Sequence, residues 1–277
     1  MFYLILAIAT SAMISVVMRV SEKYSKNGMS MLAANYLTCS VMAWINIGSM
    51  DIFGGAAGAM RTMGLGTVCG VLFLAAFVLL QWNIRKNGVV LPATFMKLGV
   101  LVPTVLAITV FGESPKTTQL IGIIAALGAI FLIQGGGKQK AGSVAGLIVL
   151  MLAGGLADAM AKIYEQYGVA ALSEQYLLFT FATALVICVV MCAVKKQRVG
   201  LADVLFGAAV GVPNYLSSKF LLLSLNSVPA VAAYPTFSVG TIVLVTVAGV
   251  AMFREKLEKR KLIALGVILV ALALLNV

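Results

Sequence analysis

Four charged side chains fall inside segments that are otherwise apolar enough to lie in a lipid bilayer: Lys97, Asp158, Lys162 and Lys219. An ionised side chain near the centre of a membrane-spanning helix costs about 2.5–3.5 kcal/mol on insertion scales. In known membrane proteins such residues mark ion pairs, proton relays or substrate sites. The four residues are therefore the first candidates for function.

Lys97 and Lys219 have no acidic residue three or four positions away, so neither can pair along its own helix. Helical spacing places Thr94 on the face of Lys97 and Tyr215 on the face of Lys219, with Asn214 close by. A partly dehydrated ammonium group binds carboxylate or phosphate well. The sequence thus predicts that the two lysines face a midplane cavity and bind an anionic group there.

Asp158 is the one acidic residue in the interior of these apolar segments, and it lies four positions before Lys162. That spacing permits an ion pair on one helix face. Asp158 is also the candidate site for proton coupling. Two alternatives to the anion site remain open: Lys97 or Lys219 pairs with Asp158 across helices, or desolvation makes either lysine neutral.

Aromatic and hydroxyl side chains near the lysine faces could shape the apolar part of a binding site. The predicted contact residues of this kind are Trp82, Tyr215, Tyr234, Phe237 and Thr241. The alternative is that these side chains only pack the helices together.

The elements that must position these residues are membrane helices. Of the 277 residues, 62% are hydrophobic and 10% are charged, against about 25% charged in a soluble domain. Because a backbone in lipid must satisfy its own hydrogen bonds, apolar segments of about 20 residues predict helices. The sequence predicts an all-α polytopic membrane protein with ten transmembrane helices, over residues 2–20, 31–50, 64–84, 89–111, 118–135, 143–164, 175–194, 203–225, 229–252 and 261–276.

The basic residues that give the net charge of +11 are concentrated in alternate connections between the predicted spans. Fifteen of the twenty basic residues lie in alternate connections, and only Arg61 and Lys116 lie in the intervening ones. Short cytoplasmic loops retain Lys and Arg, so the pattern places the odd-numbered loops inside and both termini outside. The basic residues thus indicate topology and give no reason to expect a nucleic-acid partner.

The two halves of the chain carry a weak internal repeat. A shift of 142 residues aligns "ATFMKLGVLVPTVLAITVFGE" (93–113) with "PTFSVGTIVLVTVAGVAMFRE" (235–255), and a shift of 143 aligns Arg19 with Lys162. Arg19 is therefore grouped with Asp158 and Lys162 as an ion-pair or coupling residue. Because each half holds five spans, the halves would be inverted repeats: 1–135, a linker at 136–142, and 143–277.

Ten spans in two sets of five, and the "TF…FGE" end of the fourth span repeated as "TF…FRE" in the ninth, resemble the drug/metabolite transporter superfamily, specifically its EamA-type branch. The resemblance covers essentially the whole chain. It implies alternating access around a central cavity lined mainly by the first, third, fourth, sixth, eighth and ninth spans. It also implies cytoplasmic termini, which the charge pattern of this sequence contradicts.

The expected function is secondary active transport of a small anionic or zwitterionic metabolite across the plasma membrane, by proton coupling or exchange. Efflux of organic cations is one alternative, and a more remote one is an intramembrane enzyme or lipid-handling protein. The absence of histidine disfavours zinc sites and His-based catalysis, so neither a metal, another cofactor nor enzyme activity is expected. The expected partners are a small-molecule substrate and the bilayer, with a homodimer left open.

Overall fold

The computed structural model describes residues 1–25, 27–48, 52, 57–87, 90–134, 143–197, 199–254 and 259–276. Within these ranges the regular structure is helical. The predicted linker at 136–142 and Glu255 of the repeat lie outside the described residues. The helices are α1 Phe2–Ser21, α2 Gly28–Ile47, α3 Ala59–Asn87, α4 Val90–Leu98, α5 Leu101–Thr109, α6 Thr117–Gln134, α7 Val144–Tyr167, α8 Ser173–Val194, α9 Leu201–Leu225, α10 Ala230–Phe253 and α11 Lys259–Leu275, with a 3-10 turn at Ala170–Leu172 before α8.

Six helical segments of the described chain are long and apolar enough to cross a membrane: Phe2–Ser21, Ala59–Asn87, Leu91–Thr109, Val144–Tyr167, Ala170–Val194 and Ala230–Phe253. Two further apolar helices are shorter, Thr117–Leu132 and Leu262–Leu275. The all-helical membrane class predicted from composition is confirmed. The count of ten spans stays a prediction, although each of the ten apolar segments contains helix.

The fourth apolar segment is interrupted between α4 and α5, at Gly99 and Val100. Pro103 has no backbone N–H, so it cannot donate to the Gly99 carbonyl four residues earlier. The Val102 N–H donates to that carbonyl instead, over 2.9 Å, which tightens the turn. By contrast, α9 and α10 continue as helix through Pro213 and Pro235.

The chain folds as two compact units. The first unit contains Met1, Ala75–Lys162 and Ser224–Val277, and the second contains Phe2–Leu74 and Ile163–Leu223. Each unit combines segments from both sequence halves: in the first unit α6 packs on α11, and in the second α2 packs on α8. The two units do not test the boundaries of the sequence repeats, 1–135 and 143–277, which stay a prediction.

Glycines allow close helix contacts within each unit. A methyl group at Gly155 of α7 would lie 2.6 Å from Val102 Cβ. In the second unit, a methyl at Gly207 of α9 would lie 2.6 Å from Ala34 Cβ of α2. Real Cβ atoms do not approach this closely, so at these points the helices touch through their backbones.

The start of α9 is tied to the connection between α1 and α2 by Asp203, which is 2% exposed. One carboxylate oxygen accepts from Ser25 Oγ at 2.7 Å and from the Asn27 N–H at 3.2 Å. The other accepts from the Gly200 N–H at 3.0 Å. Asn27 in turn caps α2, since its side chain accepts from the Met29 and Ser30 N–H groups. This buried carboxylate satisfies donors at two helix starts and has a structural role.

Candidate functional site

In the first unit, Lys97 of α4 and Asp158 of α7 are brought near each other by the break in the fourth apolar segment. Gly99 packs against Gly155, so that a methyl at Gly99 would lie 3.2 Å from the Gly155 nitrogen. Lys97 lies two residues before this crossing and Asp158 three residues after it, and the two charges interact electrostatically. Within the described chain no direct ion pair joins them. Both side chains are exposed, so each can accept another partner.

Tyr234 of α10 holds α7 at the level of Asp158. Its hydroxyl donates to the Asp158 carbonyl over 3.0 Å and accepts from the Lys162 N–H over 3.1 Å. These two backbone groups are four residues apart and would ordinarily bond to each other in an α-helix. The tyrosine is 2% exposed, so the bridge is sheltered. A side chain inserted in this way couples the local shape of α7 to α10.

Lys162 is buried and pairs with Glu113, which lies in the connection between α5 and α6. Lys162 Nζ is 3.1 Å from Glu113 Oε1 and 5.8 Å from the centre of the Phe111 ring. The Glu113 carboxylate also accepts from the first N–H groups of α10, at 3.1 Å for Ala230 and 2.8 Å for Val231. A carboxylate at a helix N-terminus satisfies free donors and complements the helix dipole. The sequence analysis proposed Asp158 as the partner of Lys162, and it did not find Glu113.

Lys219 of the second unit also has a carboxylate beside it, and the sequence analysis did not find this partner. Lys219 Nζ lies 2.5 Å from Glu174 Oε1 and 3.1 Å from Asn46 Oδ1. The Tyr215 hydroxyl donates to Glu174 Oε2 over 2.5 Å and lies 3.4 Å from Lys219 Nζ. Glu174 belongs to the first turn of α8, and the side chains of Lys219 and Glu174 are 25% and 18% exposed. The lysine therefore belongs to a polar cluster drawn from α2, α8 and α9.

Asn214 points into the contact between α9 and α2. Its side-chain amide donates to Asn35 Oδ1 over 3.2 Å, and the Cys39 thiol donates to the Gly211 carbonyl over 3.2 Å. Asn35 is buried, whereas Asn214 is half-buried. Asn214 thus helps to join two helices next to the Lys219 cluster.

The remaining described site residues from the sequence analysis are Trp82, Phe237, Thr241 and Arg19. Trp82 of α3 is partly exposed beneath Lys86, whose Nζ is 4.5 Å from the ring centre. Thr241 is buried and donates to the Phe237 carbonyl over 2.7 Å, while the Phe237 side chain is half-buried. Arg19 is exposed near the end of α1. The Thr94 side chain lies outside the described part of the structure.

The structure therefore places Lys97 and Asp158 in the first unit and Lys219, Tyr215 and Asn214 in the second. The convergence of the two lysine faces on one cavity stays a prediction. Sequence reasoning missed Glu113 and Glu174 because both belong to the boundaries of apolar segments, where acidic residues are common and solvated. The signal that could have found them is their position beside a helix start.

Comparison with known proteins supports a membrane transport role. Residues 175–268 match the family model described as Small Multidrug Resistance protein. The chain is similar to an uncharacterized protein of Haemophilus influenzae, with 22% identity over 273 residues that cover 94% of this chain and 92% of the relative. A solved crystal structure has a similar fold, with a TM-score of 0.73 at 12% identity over 99% of this chain and 94% of the other.

The family match and the apolar helices together support a multi-pass membrane protein. The matched region runs from the start of α8 into α11. It therefore includes Lys219 and Tyr234 but neither Lys97 nor Asp158. The substrate class has to be argued from the charged side chains themselves.

Proposed function

We propose that this protein is a secondary active transporter of a small anionic or zwitterionic metabolite in the plasma membrane, of the ten-helix EamA type. Its ten helices form two inverted five-helix repeats, 1–135 and 143–277, and it works by alternating access. Transport is driven by protons or by exchange. The match to a transporter family supports this class over an enzyme.

The observation that carries the proposal is the pair Lys97 and Asp158. They are opposite charges on two helices of one unit, both exposed, and without a direct ion pair between them in the described chain. A substrate with a carboxylate and an ammonium group can satisfy both charges at once. In a low-dielectric site each such contact is stronger than in water. A purely anionic substrate would use Lys97 alone and leave Asp158 to bind a proton.

The other proposed contact residues lie on several helices of the two units. Phe237 and Thr241 follow Tyr234 along α10, and Tyr234 contacts α7 at Asp158. Lys219, Tyr215 and Asn214 form the corresponding proposed set in the second unit. Thr94, Trp82, Lys162 and Arg19 complete the proposed binding and coupling residues.

Counterflow in proteoliposomes tests the function. Vesicles are loaded with one unlabelled compound class at high concentration, and uptake of the labelled compound is followed with and without a pH gradient. Separate arms use L-amino acids, dicarboxylates and hexose phosphates. We expect saturable counterflow in at least one arm, and at least a tenfold loss of rate for Lys97→Ala, because the substrate's acidic group loses its cation.

An exposed lysine elsewhere provides the matched control. Lys195→Ala removes a charge from the end of α8, outside the proposed site, and is expected to transport at the wild-type rate. Absence of counterflow in every arm would contradict the transporter proposal. Full activity of a Lys97→Ala/Lys219→Ala double variant would remove the role of the lysines while leaving transport intact.

Organic-cation efflux is the second candidate, because Asp158 is an exposed carboxylate inside a helix and the matched family model is named for multidrug resistance. Lys97 nearby opposes the binding of a cation to Asp158. An additional arm with tetraphenylphosphonium separates the two candidates. Counterflow of this cation that is lost in Asp158→Asn, with no counterflow of the metabolites, would favour efflux.

A further inference from the structure

The Lys219 cluster of the second unit has the shape of an occupied carboxylate site. The two oxygens of Glu174 take separate donors, Lys219 Nζ and the Tyr215 hydroxyl, each at 2.5 Å. The two donors are four residues apart on α9 and so lie on one face of that helix. Together they present an ammonium and a hydroxyl to a single carboxylate, which is the recognition expected for an external carboxylate or phosphate group.

We propose that Glu174 is an internal counterion that occupies this oxyanion site, and that a proton binding to Glu174 vacates the site for the acidic group of the transported metabolite. This inference rests on the proposed transport function. It gives the second unit a defined role, in which a proton and an anionic group bind together. No covalent bond changes; the proton is taken from the aqueous phase and returned to it.

Charge balance in the cluster supports the exchange. The ionised pair of Lys219 and Glu174 is electrically neutral, and so is Lys219 with a substrate carboxylate beside a protonated Glu174. Lys219 with two carboxylates would leave an uncompensated negative charge in a mostly buried place, which is strongly unfavourable. An anion should therefore enter only when a proton enters.

The exposure of the side chains in the Lys219 cluster fits the proposed replacement of Glu174 by a substrate group. Tyr215 is 1% exposed and is held in place, whereas the Lys219 side chain is 25% exposed and can reach an incoming group. The side-chain amide oxygen of Asn46, 3.1 Å from Lys219 Nζ, accepts from the ammonium and keeps it in position when Glu174 is neutral. The site therefore persists after its internal occupant is protonated.

Other titratable groups lie on the helices packed against α8. In the second unit they are Tyr36 and Cys39 on α2, Arg61 and Cys69 on α3, and Tyr164, Glu165 and Tyr167 on α7; α9 contributes Asp203 at its start, and Lys219 and Tyr215, which contact Glu174 directly. Glu165 is a carboxyl group of this set that does not cap a helix start. It provides a matched control for the loss of one titratable acid from the same unit.

The first test is the pH dependence of counterflow in proteoliposomes, with the L-amino acid, dicarboxylate and hexose phosphate arms. One coupled proton predicts an apparent substrate affinity that improves by up to about tenfold per pH unit as the pH falls. Glu174→Gln should retain counterflow and lose this slope, the change of apparent substrate affinity with pH, because the site is open at every pH. Glu165→Gln should keep the wild-type slope. Glu174→Asp, which still titrates, should keep a slope.

The second test measures the chemical reactivity of Lys219 and does not depend on transport. Lys219 in the purified protein is labelled with an amine-reactive acylating reagent and quantified by mass spectrometry. Glu174→Gln should increase this labelling several-fold over wild type and over Glu165→Gln, because the ammonium has lost its carboxylate partner. Gel filtration in detergent shows that each variant is folded, and Glu174→Ala, which also removes the carboxylate, serves if Glu174→Gln is not.

The outcomes separate the two proposals. A wild-type slope in Glu174→Gln, or unchanged Lys219 labelling, would overturn the role of Glu174 while leaving transport untouched. Absence of counterflow in every arm would overturn the proposed function and, with it, substrate entry at this site. Increased labelling in that case would still support Glu174 as the internal counterion of Lys219.

Discussion

Each of the three candidate lysines interacts with a carboxylate from another part of its unit. Lys162 contacts Glu113, Lys219 contacts Glu174, and Lys97 interacts with Asp158 at longer range. Pairing offsets part of the cost of placing a charge in lipid. The third pair has no direct contact in the described chain, and the proposed substrate would contact both of its charges.

Glu113 should be important for stability because it has two tasks, pairing with buried Lys162 and capping α10. Glu113→Ala removes both and should destabilise the protein by about 2–4 kcal/mol, since a lost cap costs about 1 kcal/mol and an unpaired buried charge more. Glu113→Gln keeps an oxygen that can cap α10 and should lose less. Thermal unfolding in detergent measures both, with the exposed Glu22→Gln as an unaffected control.

Lys97 and Asp158 should behave as a coupled pair. Asp158→Asn and Lys97→Met each leave one charge without its partner, so each should lower the thermal midpoint in detergent. The double variant should lose less than the sum of the two, because no lone charge remains. It should nevertheless fail to transport. Strictly additive losses of stability would show that the two charges do not interact.

At the scale of helices, the break between α4 and α5 positions the Lys97–Asp158 pair. Gly99 and Gly155 let the two backbones touch, and Pro103 removes the donor that would continue the helix. The local composition therefore determines both the bend and the contact. A bend held by a backbone contact, rather than by long side chains, can pivot with little repacking.

Gly155→Ala should disturb this crossing, since its methyl would lie 2.6 Å from Val102 Cβ. Overpacking of this kind costs about 1–3 kcal/mol, and transport should fall as Lys97 moves away from Asp158. Gly154→Ala is the matched control, because its methyl would meet only Met96 Cγ at 4.0 Å. Equal behaviour of the two variants in thermal unfolding and counterflow would contradict the crossing.

Much of the helical framework could be predicted from the sequence, and less of the charged contacts. Hydropathy located the apolar helices because lipid demands long uninterrupted runs. The partners of Lys162 and Lys219 could not be predicted, because Glu113 and Glu174 are distant in sequence and lie at segment ends. Helical spacing finds partners within one helix, whereas these contacts depend on how helices from different parts of the chain pack.

At the scale of the whole chain, the topology that the basic residues predict can be tested directly. Cys192 is the partly accessible native cysteine of the described chain, and Cys192→Ser removes it. In this background Lys116→Cys should react with a membrane-impermeant maleimide in right-side-out vesicles. Lys195→Cys should react only after permeabilisation. The opposite pattern would place the termini in the cytoplasm, as the family resemblance implies.

The pairing of α6 with α11 and of α2 with α8 bears on the order of biosynthesis. A ribosome delivers α2 and α6 to the membrane long before their partners are made. In the proposed ten-span topology, each early helix therefore waits in lipid with a face that is later covered by protein, and α6 meets its partner only once α11 has been synthesised. A chain truncated before α11 should be recognised as unfinished and degraded, even though its earlier apolar segments have been inserted.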